Sequence, residues 1–221
     1  MCVSVMFAQF NTSDVDQTGV NNGSTVNQTG YMNDSGVIQY GDDNISAVDE
    51  TGNENESTVW QYGDTNDSDV DQYGNYNDSF VWQDGNTNTS IVDQEGDDND
   101  AYIDQWGHDN TSNAYQYGNG NNAEAYQGYG SGNGNHFSYI NQYGIINDAI
   151  VHQNGGDGNM SYVFQDGEGN KADVYQTGND NYSEVWQYGY YNDADIDQTG
   201  DNNDSWVEQW GEFNDSDVTQ F

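Results

Sequence analysis

The sequence predicts an all-β chain, a two-sided β-solenoid of stacked strand-turn-strand coils with cross-β character. Three observations lead there. The pattern Asn-x-(Ser/Ala)-x-(Val/Ile)-x-Gln-x-Gly-x-x recurs every eleven residues from Asn11 to Gln220. Within a unit the repeated residues stand two apart, and residues two apart share one face of a strand. Each unit then closes on Gly-x-x-Asn, a three-residue step suited to a tight turn. Repetition at a fixed short period decides the architecture before any local propensity does.

The units follow in order. Asn11, Ser13, Val15 and Gln17 open the series. Asn22, Ser24, Val26, Gln28 and Gly30 lead into Asn33, Ser35, Val37, Gln39 and Gly41. Asn66, Ser68, Val70 and Gln72 repeat the pattern, as do Asn181, Ser183, Val185 and Gln187, and Asn214, Ser216, Val218 and Gln220 close it. Of 19 units, all have Ser or Ala at the small position and 17 have Val or Ile at the apolar one, with Ala114 and Ala125 the exceptions. His136 alone replaces the Asn and Glu50 alone replaces the Gln. Glu50 reads either as a device that slows premature assembly or as one tolerated substitution.

Four steps of two and one of three give an odd period. The three-residue step absorbs the parity change in the turn, so the repeated residues of every unit face inward. Two units make one coil of 22 residues, and the chain holds about nine and a half coils. Successive coils are expected to stack as parallel strands in register, about 4.8 Å apart. Helix is disfavoured by the period of two and by 27 glycines.

A hydrophobic content of 32% and a net charge of −38 would by themselves suggest disorder. The repeat overrides that, because the few apolar residues fall on one face. The expected core is a thin line of Val and Ile flanked by Ser, Asn and Gln. Identical amides stacked along an axis can bond to one another as ladders. The alternative, that Asn and Gln only mark surface turns, sits poorly with a Gln that shares strand parity with Val.

Residues 10–221 read as one repeat domain. Residues 1–9, which include the lone Cys2, read as the remnant of a secretory signal or a disordered tail. Two Gly-rich stretches, 128–135 and 155–158, lengthen turns and are expected to let the stack continue. A domain boundary at 128–135 is the less economical reading.

Outward positions vary and carry the charge. Asp49, Asp71 and Asp93 fall in one outer column at coil spacing, and Ile38, Trp60 and Trp82 in another. Like charges about 4.8 Å apart cost on the order of 1 kcal/mol per pair even in water, so salt, acid or divalent cations should relieve the acidic column. No cofactor is expected beyond weak calcium binding by such columns, and plain screening explains the same behaviour. The outward Tyr62, Tyr73, Trp106, Tyr188 and Trp210 suit axial stacking or an interaction surface.

Catalysis is not indicated. His108, His136 and His152 fall at turn or outward positions with no recurring partner, and carboxylates are too many for any pair to stand out. The charge opposes nucleic-acid binding, and no membrane-inserting segment is present in the sequence.

The unit carried by Ser24, Gln28, Gly30, Asn33, Ser35 and Gln39 resembles the curlin repeat of bacterial curli fibre subunits. The resemblance spans residues 11–220. It implies a secreted subunit that leaves through an outer-membrane secretion channel and polymerises on the cell surface as biofilm amyloid. It also implies a surface nucleator. The chain departs from the pattern in its many coils, its single basic residue Lys171 and its strong negative charge.

Self-association also follows from the repeat itself. The complete first unit, Asn11, Ser13, Val15 and Gln17, and the complete last unit, Asn214, Ser216, Val218 and Gln220, are the expected assembly edges. Unblocked strand edges template further pairing, and the sequence shows neither an atypical terminal unit nor any Pro. The competing reading is a monomeric solenoid that binds polysaccharide, ice or divalent cations through its outer columns.

Overall fold

The computed structural model describes residues 10–129 and 134–221. Nineteen strands follow one another without a helix among the described residues. They are β1 (Thr12–Thr18), β2 (Gly23–Tyr31), β3 (Asp34–Tyr40), β4 (Ile45–Asn53), β5 (Glu56–Tyr62), β6 (Asp67–Asn75), β7 (Asp78–Asn86), β8 (Thr89–Asp97), β9 (Asp100–His108) and β10 (Thr111–Asn119). Then come β11 (Asn122–Tyr129), β12 (Phe137–Ile145), β13 (Asp148–Asn154), β14 (Met160–Glu168), β15 (Lys171–Thr177), β16 (Tyr182–Tyr190), β17 (Asp193–Thr199), β18 (Asp204–Glu212) and β19 (Asp215–Gln220).

Odd-numbered strands form a ten-stranded sheet and even-numbered strands a nine-stranded one, each in simple ascending order. Every pairing is parallel and joins strands two apart in the chain. Ser13 pairs with Ser35, Val15 with Val37 and Gln17 with Gln39, and the same identities meet near the other end, where Ser183, Val185 and Gln187 meet Ser205, Val207 and Gln209. This is the two-sided β-solenoid the repeat predicts.

Apart from a one-residue shift between Gln127 and Tyr129 at the end of β11, the two lengthened turns leave the register intact. Across the first, Ser112 pairs with Ser138 and Gln116 with Gln142. Across the second, Ser138 pairs with Ser161 and Gln142 with Gln165. Residues 130–133 of the first extension, and the 1–9 segment with Cys2, lie outside the described residues.

The apolar core is a thin line of one Val, Ile or Ala per strand, joined in β9, β11, β13, β15 and β17 by the Ala of the small slot. Val37, Val70, Ile103, Ile140 and Val185 are among its fully buried members. Burial of a Val contributes roughly 1.5–2 kcal/mol, so the line has weight. It is nonetheless outnumbered by buried Asn, Ser and Gln.

The turn differs from the sequence reading in one respect. The turn Gly has positive φ, and from Asn22 onward so does the residue just before each Asn: Met32 at 58°, Thr65 at 63°, Tyr76 at 59° and Ile146 at 51°. A non-Gly residue in this left-handed region costs roughly 1–2 kcal/mol. Its own N–H offsets the cost by bonding to the coil below, as Glu54 N does to Tyr31 O at 2.9 Å and Tyr76 N to Asn53 O at 3.1 Å. The position accepts such varied side chains that the sequence gives no sign of it.

Gly is required for closeness as well as for φ. A Cβ on Gly74, where φ is 133°, would lie 1.8 Å from Gly96 O in the next coil. We therefore expect Gly74→Ala to lower folding stability by about 3 kcal/mol or more, read as a shift in the denaturant midpoint. An unchanged midpoint would mean that coils can separate locally without cost.

Candidate functional site

The site is the set of side-chain ladders that fasten one coil to the next. Along most of the ladder an Asn grips the following coil with both atoms of its amide; Asn110, whose Nδ2 donates to Trp106 O of its own coil, is an exception. Asn33 Oδ1 accepts from Asn55 N at 3.1 Å while Asn33 Nδ2 donates to Gly52 O at 3.1 Å. Asn22, Asn66 and Asn181 do the same to Gly41, Gly85 and Gly200 at 2.8–2.9 Å. The Gly carbonyl so held is the one that a Cβ on the Gly below would strike, so the Asn and Gly columns belong to one joint.

Each Gln bonds in two directions. Its Nε2 donates along the axis to the Gln Oε1 of the next coil, as from Gln39 to Gln61 at 2.7 Å and from Gln187 to Gln209 at 2.9 Å. The same nitrogen donates across the core to a backbone carbonyl of the facing sheet, as Gln61 does to Ile45 O at 2.8 Å. The cross-core bond fixes which amide atom is nitrogen. Every axial bond therefore points the same way, from lower to higher residue number.

The Ser position obeys a size rule more than a bonding rule. Ser24, Ser68 and Ser183 hydroxyls have no partner, and Ala101, Ala123 and Ala149 fill the same slot fully buried.

The predicted core residues Asn33, Ser35, Val37, Gln39, Asn66, Ser68, Val70, Gln72, Asn181, Ser183, Val185 and Gln187 are all buried. Asn22, Ser24, Val26, Gln28 and Gly30, on and beside β2, are half-buried. Of the predicted edge residues, Ser13, Val15 and Gln17 are exposed while Asn11, Asn214, Ser216, Val218 and Gln220 are half-buried. β1 and β19 are the outer strands of the ten-stranded sheet.

One expectation is corrected. His136 is not at an outward position: it occupies an Asn slot and is 1% exposed. Its backbone N–H still donates to Asn110 Oδ1 at 3.1 Å, but neither ring nitrogen has a partner. Burial lowers its pKa to about 4, so the ring stays neutral, with the Asp157 charge opposing the shift. Its replacement of Asn, an inward residue in every other unit, was the signal that could have placed it.

The outer columns fall where the coil spacing puts them. Asp49, Asp71 and Asp93 are in register, as are Ile38, Trp60 and Trp82. Desolvation, reinforced by Asp69, Asp93 and Asp49, pushes the Asp71 carboxyl up to about 6. Aromatic rings meet along the axis, tilted by 52° with centroids 5.0 Å apart for Trp60 and Trp82 and stacked at 4.2 Å for Tyr188 and Trp210. Among the described residues no group of three or more His, Cys, Asp or Glu could hold a metal ion.

Nothing in the ladders brings a nucleophile, a base and an open cleft together. What they provide is a joint of fixed pattern, repeated at every coil. The Curlin associated repeat matches residues 48–74, 77–106, 156–189 and 192–221, more than half of the chain. The chain belongs to the curlin-repeat family. Curlin-repeat proteins are structural rather than enzymatic. No curated protein matches the chain.

Two substitutions separate bonding from size in the curlin repeat. Asn66→Ala leaves Gly85 O and Asn88 N without the partners they have at 2.9 and 3.1 Å, and should cost about 2–4 kcal/mol. Ser68→Ala removes a hydroxyl that bonds to nothing and should leave stability within about 0.5 kcal/mol of the parent or raise it. Denaturant unfolding of both variants checks this. Equal losses would show that the Asn clamp adds nothing beyond packing.

Proposed function

We propose that this curlin-repeat protein is a secreted structural subunit that self-assembles end to end into extracellular, curli-like amyloid fibres on the bacterial surface. Such fibres would serve biofilm matrix, adhesion and surface colonisation. The observation that carries the proposal is the polarity of the Gln ladders. Because every Gln-to-Gln rung donates in one direction, any stack built from this repeat offers Gln N–H donors at its high-numbered face and Gln amide oxygens at its low-numbered face. A second copy in the same orientation fits that joint with the pairing already used inside the chain. A copy in the reverse orientation sets donor against donor.

Backbone edges add to this. The outer strands of a parallel stack present unpaired N–H and C=O groups that template pairing. A surface nucleator and an outer-membrane secretion channel complete the proposal as partners, on the strength of family membership.

Purified protein incubated at neutral pH and moderate salt should form unbranched fibres whose diffraction has a meridional reflection near 4.7–4.8 Å. A protein that stays folded and monomeric across salt and acid would refute the subunit reading.

The acidic columns set the conditions. Because the Asp71 carboxyl is raised to about 6, the folded stack holds its proton more tightly than the unfolded chain does. The stabilising effect is complete in acid and is lost as pH rises toward 6 and beyond. Assembly should thus be faster at pH 5 than at pH 7.5, with added NaCl narrowing the gap. Calcium chloride at matched ionic strength should act no differently from NaCl. A large calcium-specific acceleration would instead indicate coordination by the columns.

A further inference from the structure

The Gln ladder of the nine-stranded sheet has one defective rung. Gln28 Nε2 donates to Glu50 Oε2 at 2.8 Å, and Gln72 Nε2 donates onward to Gln94 Oε1 at 2.9 Å. Between them Glu50 and Gln72 are paired in register, but Glu50 has oxygen where every other rung has its amide nitrogen. Two orphans result: Glu50 Oε1 and Gln72 Oε1 are both buried without a partner. The cross-core bond is missing as well. Gln61 and Gln72 donate to Ile45 O and Glu56 O, each sixteen residues back; the matching carbonyl for position 50 is that of Asp34.

Glu50 is 0% exposed, so water does not reach the gap. Two unprotonated oxygens facing one another there repel, and each loses its hydration without compensation. A neutral carboxylic acid differs from a carboxylate by one O–H donor, and one donor is what the rung lacks. We propose that Glu50 is a proton-gated rung of the core: protonated, it donates to Gln72 Oε1 and closes the ladder between β4 and β6; ionised, it opens that joint.

The surroundings favour the protonated form. Burial is the main cause and pushes the Glu50 carboxyl up to about 7; the Asp34 and Glu56 charges, on β3 and β5 of the facing sheet, add to it. The hydrogen bond from Gln28 on β2 and the nearby hydroxyl of Ser57 on β5 pull the other way and do not prevail. From β6 the facing group is the neutral Gln72 amide. The chain's single basic residue, Lys171, stands far along the stack on β15. The carboxyl's ordinary value is 4.5. The joint therefore contributes full stability below that pH, loses it progressively above, and contributes none beyond about 7.

The inference rests on the fold alone, and its test reads folding of a single chain, so it stands or falls independently of fibre assembly. Denaturant unfolding of the parent and of Glu50→Gln is followed from pH 5 to pH 8.5 at dilute protein concentration. Glu50→Gln supplies both amide donors at every pH. Other raised carboxyls, such as Asp69 and Asp71, are present in both chains and cancel in the comparison. Between pH 5 and pH 8 the parent should lose roughly a hundredfold more in its folding equilibrium constant than Glu50→Gln does. Glu212→Gln, at an exposed position, should keep the parent's profile. In ¹³C-carboxyl spectra, the glutamate signal that vanishes in Glu50→Gln should titrate near pH 7. Parallel pH profiles for the parent and Glu50→Gln, or a Glu50 signal titrating below pH 5, would overturn the proposal.

Discussion

A buried amide has to place two N–H groups and one carbonyl without help from water, and the stack follows from how that is done. In each Gln, one N–H runs along the axis to the next coil and the other crosses the core to the facing sheet. The Oε1 receives the bond from the coil below. Leaving any of these unmade costs about 1–3 kcal/mol per group. The arrangement therefore tolerates one coil height, one register and one axial direction. A thin line of Val and Ile could not be so selective, since apolar contact has no direction.

The other features of the repeat serve that constraint. Gly is present because the carbonyl gripped by Asn in the next coil lies where a Cβ would be. The residue before Asn adopts left-handed φ so that the chain re-enters the core with its Asn facing inward. Ser or Ala is present because the slot beside the amides is small. The surface works against the stack: the aligned aspartates repel along each column, and the tighter hold of Asp71 on its proton records that repulsion together with burial. The ladders and the axial ring contacts of Trp60 with Trp82 and Tyr188 with Trp210 oppose it. The same chain can thus hold a charge of −38 and a dry interior.

Period two and the three-residue step sufficed to place the strands, the pairing of Ser13 with Ser35 and the outer columns of Asp49 and Trp60, because each depends only on which residues share a face. The turn conformation at Glu54 or Ile146 was hidden, since it is imposed by a bond to the coil below and not by the residue's own preference. The cross-core half of the Gln bonding was hidden too, because its acceptor is backbone and carries no identity. The Glu50 exception was visible as a letter, but its meaning needed the empty acceptor on Gln72. His136 was misread because its neighbours suggested a loop while its place in the unit put it inside.

The central claim is that side-chain amides, continuous along the axis, hold the coils together. Hydrogen exchange at those amides tests it most directly, by NMR of protein labelled at Asn and Gln nitrogen. The account predicts that the Nε2 protons of Gln94 and the Nδ2 proton that Asn77 donates to Gly96 O exchange as slowly as the backbone amides of β7 and β8. Exchange of these side-chain protons at the rate of exposed amides, with the backbone still protected, would contradict it and leave the backbone and the Val line as the only fastenings.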